Sequence, residues 1–215
     1  MILEEIMKRN MYTLSENDSI QTAFATINEK KIRHIPIVND SNNLVGLVSD
    51  RDLRDAAPSI FRADYHPEDL ERPVSTIMKT DLITGHPLDF VEETAVLFYE
   101  HNISCLPVIK DHKLVGIITE TDLLHTFVEL TGANQPGSQI EVKVPNKSGK
   151  LLDISVIIKK RNANIQSVLV YPDKNDSSYK ILVIRVSTMN PFQVADDLKK
   201  EGYTVLWPNL PGISS

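Results

Sequence analysis

The sequence has a single cysteine, Cys105, in 215 residues. One thiol closes no internal disulfide, and such sparing use fits a reducing cytoplasm. Long hydrophobic runs are missing too. The longest unbroken apolar stretch, Ala95 to Tyr99, falls far short of the roughly 20 residues that a membrane span requires. The chain opens Met1-Ile2-Leu3-Glu4-Glu5, without the basic and apolar regions of a signal peptide, so a cytoplasmic protein with no membrane contact is expected. Basic charge is in deficit: 23 Lys and Arg stand against 29 Asp and Glu, a formal net charge of −6. Coating nucleic acid needs a basic stripe, which argues against a nucleic-acid partner. A small anionic ligand held by a few local donors stays compatible with that charge.

Catalytic signatures are also lacking. The six histidines (His34, His66, His86, His101, His112 and His125) form no His-Glu-x-x-His pattern, and one cysteine cannot form Cys-x-x-Cys. There is neither a Gly-x-Ser-x-Gly elbow nor a phosphate-binding Walker loop. His101 and Cys105 are four apart, but fall on a helix end and the following strand. Cys105 precedes an apolar strand and reads as buried rather than nucleophilic. The expectation is a protein without catalytic residues, metal ligands or a required cofactor.

What the chain does have is duplication. Ile6-Met7-Lys8 recurs as Ile77-Met78-Lys79, and Ile32-Arg33-His34-Ile35-Pro36 as Ile103-Ser104-Cys105-Leu106-Pro107. Gly46-Leu47-Val48-Ser49-Asp50-Arg51-Asp52 recurs as Gly116-Ile117-Ile118-Thr119-Glu120-Thr121-Asp122. The first two pairs are offset by 71 residues and the third by 70, so one residue is lost in a loop. A repeat that holds register over this length predicts two copies of one supersecondary unit packed together.

Each copy reads as strand, helix, strand, strand, short helix. Ile20, Ala23, Phe24 and Ile27 share one helical face, matched by Val91, Thr94, Ala95 and Phe98. Asp18 and Asp89 stand where N-caps would. Ile35–Val38 and Leu44–Val48 flank the turn formers 40–43, a hairpin signal, and the second copy shortens that turn to Asp111-His112-Lys113. Gly46 and Gly116 interrupt strands, which marks a bulge or a close approach to the backbone. Arg54–Pro73, with three prolines, reads as a connector. Thr131–Ser138 is a run of turn formers and a domain boundary. Beyond it, Gln139–Val144, Lys150–Lys160, Ile165–Tyr171, Tyr179–Val186, a helix opening at Pro191 and closing at Gly202, and Tyr203–Trp207 give the order βαββαβ, a ferredoxin-like arrangement. The expected class is α+β, with repeats at 1–60 and 74–130, a connector at 61–73, a linker at 131–138 and a third domain at 139–210.

On these residues the repeated unit resembles the CBS domain: the Ile-Met-Lys opening, the apolar-x-x-apolar-Pro segment and the closing Gly-apolar-apolar-Ser/Thr-x-x-Asp. The resemblance implies one module with two clefts for adenosine compounds, so an adenine nucleotide (AMP, ADP or ATP) is the expected regulatory ligand. The C-terminal segment resembles the ACT domain. Asn146-Lys147-Ser148-Gly149-Lys150-Leu151 stands where that family has Asp-x-Pro-Gly-x-Leu, departing at Asn146 and Ser148. Both resemblances imply a homodimer, and the element that receives the signal is expected to be the ACT-like domain or a partner protein. An interaction protein that binds no nucleotide is the competing expectation.

Ligand chemistry then picks out residues. An ionised carboxylate can accept from both ribose hydroxyls, a task that suits Asp52 and Asp122 at the start of the terminal helix of each copy. The alternative is that each caps its helix. Ser49 and Thr119, three residues earlier, can reach ribose or phosphate beside helix amides. Apolar walls for adenine suit Ile32–Ile35 and Ile103–Leu106, with Ser104 and Cys105 among them. The family's threonine near the first strand maps to Thr13 and Thr84. Arg33 can clamp a phosphate, or stay solvated, and His34 can donate if protonated. The Arg33 cleft is expected to prefer phosphorylated ligands. Asp50 and Glu120 would repel a triphosphate, which favours AMP over ATP.

Overall fold

Apolar side chains at helical spacing close the first element of each repeat. Ile20, Ala23 and Ile27 line the buried face of α2 (Ile20–Lys30), and Val91, Thr94 and Phe98 that of α4 (Val91–His101). In this computed structural model, which describes residues 1–56 and 67–209, the chain divides into two compact units, Met1–Leu124 and His125–Ser215. Of the connector expected over Arg54–Pro73, residues 57–66 lie outside the described residues, as does residue 210 of the third domain.

The first unit holds both repeats as far as Leu124, within the last helix of the second. A short α1 (Leu3–Ile6) precedes α2, β1 (His34–Val38), β2 (Leu44–Ser49) and α3 (Asp50–Ala56). The second copy supplies α4, β3 (Cys105–Lys110), β4 (Lys113–Thr119) and α5 (Glu120–Thr131). β1 and β2 form one antiparallel hairpin, β3 and β4 another. Asp111 and His112 both take positive φ in the shorter turn, the geometry of a two-residue hairpin loop.

The opening strand of each copy shrinks to a single parallel bridge, Leu14 to Ile37 and Gly85 to Val108. Leu14 N–H donates to Pro36 O, and Val38 N–H donates to Leu14 O. The next rung would need an amide on Pro36, or on Pro107 in the second copy, and proline has none. The caps also differ from expectation. Ser19 caps α2 through its bond from Thr22 N–H, whereas Asp18 accepts from Ser15 N–H. Phe90 occupies the N-cap of α4 without a side-chain bond, and Asp89 accepts from His86 N–H. The paired aspartates therefore brace the turn ahead of each helix. Ala95 is exposed and Leu97 takes its place, partly buried.

The two copies interleave. Lys8 pairs with Ile117 by reciprocal backbone bonds of 3.0 Å each, so the start of the chain extends the second hairpin. Lys79 pairs in the same way with Leu47 of the first hairpin. The cores follow suit. Leu3 and Met7 are buried with Val91, Phe98, Leu106, Val108 and Ile118. Val74 is buried with Ile20, Ile27, Ile35, Ile37, Val48 and Leu53, with Ile77 and Met78 packed against them. Gly46 and Gly116 permit this. A Cβ on Gly46 would collide with Met78 Sδ, and one on Gly116 would meet Met7 Sδ at 2.5 Å. Register shifts lie beside both glycines, so the expected bulge and the expected close approach occur together.

The second unit contains β5 (Ser138–Pro145), α6 (Lys150–Lys160), β6 (Ile165–Pro172), β7 (Tyr179–Val186), α7 (Phe192–Lys200) and β8 (Thr204–Trp207). The sheet order is β6-β7-β5-β8 and every pairing is antiparallel. Alternation along β5 sends Ile140, Val142 and Val144 into a core with Ile154, Ile157 and Ile158 of α6 and Val194 and Leu198 of α7. Gly202, at φ +84°, follows the C-cap of α7 in the left-handed conformation that suits glycine there.

Candidate functional site

Each hairpin runs straight into a helix, β2 into α3 and β4 into α5, and the same Ser/Thr-x-x-Asp turn makes both junctions. Asp52 Oδ2 accepts from Ser49 N–H at 2.8 Å and from the Ser49 hydroxyl at 2.5 Å, while Asp52 N–H donates back to Ser49 Oγ at 3.2 Å. Asp122 Oδ2 accepts from Thr119 N–H at 2.9 Å and from its hydroxyl at 2.6 Å. This is the reciprocal logic of a capping box. The helix-cap reading of the carboxylates thus accounts for one oxygen of each.

The other oxygens meet lysines. Lys8 Nζ lies 2.6 Å from Asp122 Oδ1, and Lys79 Nζ lies 3.6 Å from Asp52 Oδ1. Both lysines belong to the opening segment of the other copy. Burial opposes the charge on Asp122, but Lys8 and the Thr119 bonds outweigh it and hold the carboxyl below its ordinary pKa. The lysines went unassigned in the sequence. Their signal was present, since Lys8 and Lys79 close the recurring Ile-Met-Lys, but it marked the repeat without indicating which copy each would serve.

A cleft of about 250 Å³ opens between the copies. Ile32, Arg33 and His34 of the first copy line it together with Ile117, Thr119 and Thr121 of the second, and with Lys8, Asn10, Met11 and Tyr12 from the segment leading to α2. Arg33 therefore shares a cleft with Thr119 rather than with Ser49 of its own copy. Lys8, Lys31 and Arg33 put three cations in the lining, which includes no carboxylate. Asp122 is not among the lining side chains and reaches the cleft through Lys8.

The remaining expected residues fall into place around this arrangement. His34 Nε2 lies 2.9 Å from Ser104 Oγ, joining the two copies. Burial, and then the charge of Arg33, pushes the His34 pKa down to about 4, so a ligand meets a neutral imidazole. Cys105 is buried, and its pKa is pushed up to about 12 by burial and then by Asp122, leaving an inert thiol. Ile32 and Ile103 are partly buried against the first and second cores. Thr13 is half-buried beside Tyr12. Thr84 lines a different depression of about 410 Å³ with Asn43, Thr80, Ile109 and His112, near the hairpin turns and away from Ser104 and Thr119. Asp50 is ion-paired to Arg54, and Glu120 is exposed.

Residues 3–59 and 74–129, just over half of the chain, match the CBS domain family. A CBS domain-containing protein of Dictyostelium discoideum is 30% identical over 142 residues, covering 64% of this chain and 98% of the relative. A homoserine O-acetyltransferase of Methanococcus vannielii is 34% identical over 127 residues, and the chain spans 25% of its length. Among solved structures, a protein assigned to acetoin utilization (AcuB) from Vibrio cholerae superposes with a TM-score of 0.55 at 31% identity, covering 63% of this chain and 96% of that one. CBSX2 in complex with AMP gives 0.54 at 25% identity, over 60% of this chain and 97% of that one. The CBS domain pair of protein MJ0100, in complex with 5'-methylthioadenosine and S-adenosyl-L-methionine, gives 0.52 at 26% identity, over 63% and 98%.

Proposed function

The chain belongs to the CBS domain family, and from that premise we propose that it is a non-catalytic regulatory protein whose paired repeats sense an adenine nucleotide, with AMP favoured and ADP and ATP as further ligands. The observation that carries this reading is the cleft in which three cations and the apolar Ile32 of one copy face Thr119 of the other, with Asp122 held behind the lining by Lys8. Apolar walls suit adenine, the cations suit phosphate, and a buried-side carboxylate suits a ribose diol. AMP and S-adenosylmethionine in the neighbouring structures support the ligand class. The relatives that carry enzyme names extend far beyond the matched region, which supports a regulatory rather than catalytic role here.

A ligand at this junction shifts the protein only by its differential affinity for two arrangements of the copies. The receiver of the signal then alters nucleotide affinity by the same factor. Likeness to the Vibrio cholerae protein supports a role in acetoin catabolism. The βαββαβ sheet of the second unit supports an ACT-like domain as the coupled element. A cytoplasmic homodimer completes the proposal. By the symmetry of the repeats, Ser49, Asp52, Ile103, Ser104 and Cys105 are proposed to serve a second, weaker site, with Ser104 and Cys105 standing where the first copy has Arg33 and His34.

Calorimetry with AMP and ATP on the native chain, Asp52→Ala and Asp122→Ala tests the reading. Loss of one charge-assisted contact is expected to weaken AMP about ten- to a hundredfold, from the roughly 1.5–3 kcal/mol of a hydrogen bond to a charged group. Absence of heat with every nucleotide, and no thermal stabilisation by them, would instead favour an interaction protein. The complete capping and ion pairing of both aspartates is the observation on that reading's side.

A further inference from the structure

We propose that Lys8 is a built-in counter-ion that covers the ribose-recognising oxygen of Asp122 and transfers to a phosphate when an anionic ligand displaces it. The first cleft thereby selects phosphorylated adenosine compounds over neutral or cationic ones. The inference rests on the adenine-nucleotide reading above.

Four observations carry it. Lys8 Nζ sits on Oδ1 of Asp122, while the cap bonds fall on Oδ2, so lysine and ribose compete for the same atom. The Asp122 side chain is 13% exposed and that of Lys8 58%, so the carboxylate is approached by moving the lysine. The backbone of Lys8 is pinned to Ile117 on both sides of its peptide unit, yet its side chain is a flexible four-carbon stem. A displaced ammonium thus remains in the cleft, which Lys8 itself lines with Lys31 and Arg33.

The exchange conserves charge pairing. A ribose diol replaces the ammonium as donor to Asp122, and phosphate replaces the carboxylate as partner of Lys8. Neutral adenosine satisfies only the first half, and S-adenosylmethionine adds a sulfonium to a lining already holding three cations. The ion pair itself is partly solvated and weak, so it is readily displaced. In the second copy Lys79 stands 3.6 Å from Asp52 Oδ1, but Ser104 and Cys105 replace Arg33 and His34. Selection there is expected to be weaker.

Calorimetry with AMP, adenosine and S-adenosylmethionine on an Asp52→Ala chain, which isolates the first cleft, compares Lys8 with Lys8→Ala. AMP is expected to weaken about tenfold on loss of a charged contact. Adenosine is expected to tighten up to about fivefold, because a partly exposed ion pair no longer competes. Lys8→Arg should keep the preference for AMP. Should Lys8→Ala fail to fold, Lys8→Met, which keeps the aliphatic stem, serves in its place. If AMP and adenosine shift by the same factor in the same direction, Lys8 is structural and the inference falls while the nucleotide reading stands. If no adenosine compound binds the chain with Lys8 intact, both fall.

Discussion

Gly116→Ala adds one methyl group at the point where the copies interleave. Its Cβ would lie 2.5 Å from Met7 Sδ, 2.9 Å from Cγ and 3.2 Å from Cβ. The thioether end alone could rotate aside, but Met7 is 7% exposed and its Cβ rides on a backbone held by Leu3 O and, one residue on, by Ile117. Overpacking of this kind costs roughly 1–3 kcal/mol, while the stiffer unfolded chain returns about 0.4–1 kcal/mol, since Gly116 does not use a left-handed φ. A net loss between zero and about 2.6 kcal/mol is expected. The decisive arm is the double mutant. Met7→Ala empties the space that the new methyl needs, so Gly116→Ala in that background should be neutral or stabilising, with a coupling of about 1 kcal/mol or more. Urea denaturation followed by far-UV circular dichroism reads the effect. The only tryptophan, Trp207, lies in the second unit, so its emission should report that unit and stay unchanged. Equal losses in both backgrounds would mean that Met7 and Gly116 do not touch, and the interleaved fold would be wrong.

Two further outcomes follow from the first unit. His34 has a folded pKa near 4 against an ordinary value of 6.5, so the unfolded chain binds the proton more readily between those limits. Its contribution to stability is therefore present above pH 6.5 and lost as pH falls toward 4; His34→Gln should flatten that part of a stability–pH curve, and an unchanged slope would refute a buried neutral imidazole. Deleting residues 1–8 removes Leu3 and Met7 from the second core, so hydrogen exchange should accelerate at Ile117 and Ile118 of β4 well before β2 responds, whereas faster exchange in β2 first would contradict the pairing.

Periodicity made α2, α4 and both hairpins legible, because Ile20, Ala23 and Ile27, or Val91 and Phe98, must share a face if they are to be buried together. Register made Gly46 and Gly116 legible as places where something approaches. What approaches was hidden. Sequence equivalence aligns Met7 with Met78, but it carries no information on which hairpin each one covers. The same limit left open which copy faces Arg33, and the cleft joins it to Thr119. Asp18 and Asp89 differ from expectation because each is engaged by the turn ahead of its helix: Asp18 accepts from Ser15 N–H while Ser19 caps α2, and Asp89 accepts from His86 N–H while α4 starts without a side-chain cap. The lost opening strands were in principle readable, since Pro36 and Pro107 each lack the amide that a second rung requires.

Because each hairpin is completed by the leading arm of the opposite copy, neither half closes its core with residues contiguous in sequence. A lone ancestral unit could have finished folding only by taking the arm of another molecule, the arrangement of a swapped dimer. Tandem fusion supplies that arm at a local concentration fixed by the tether, so a bimolecular association becomes an intramolecular one. Within one fused chain the two copies can then diverge, as Arg33 of the first and Ser104 of the second have done.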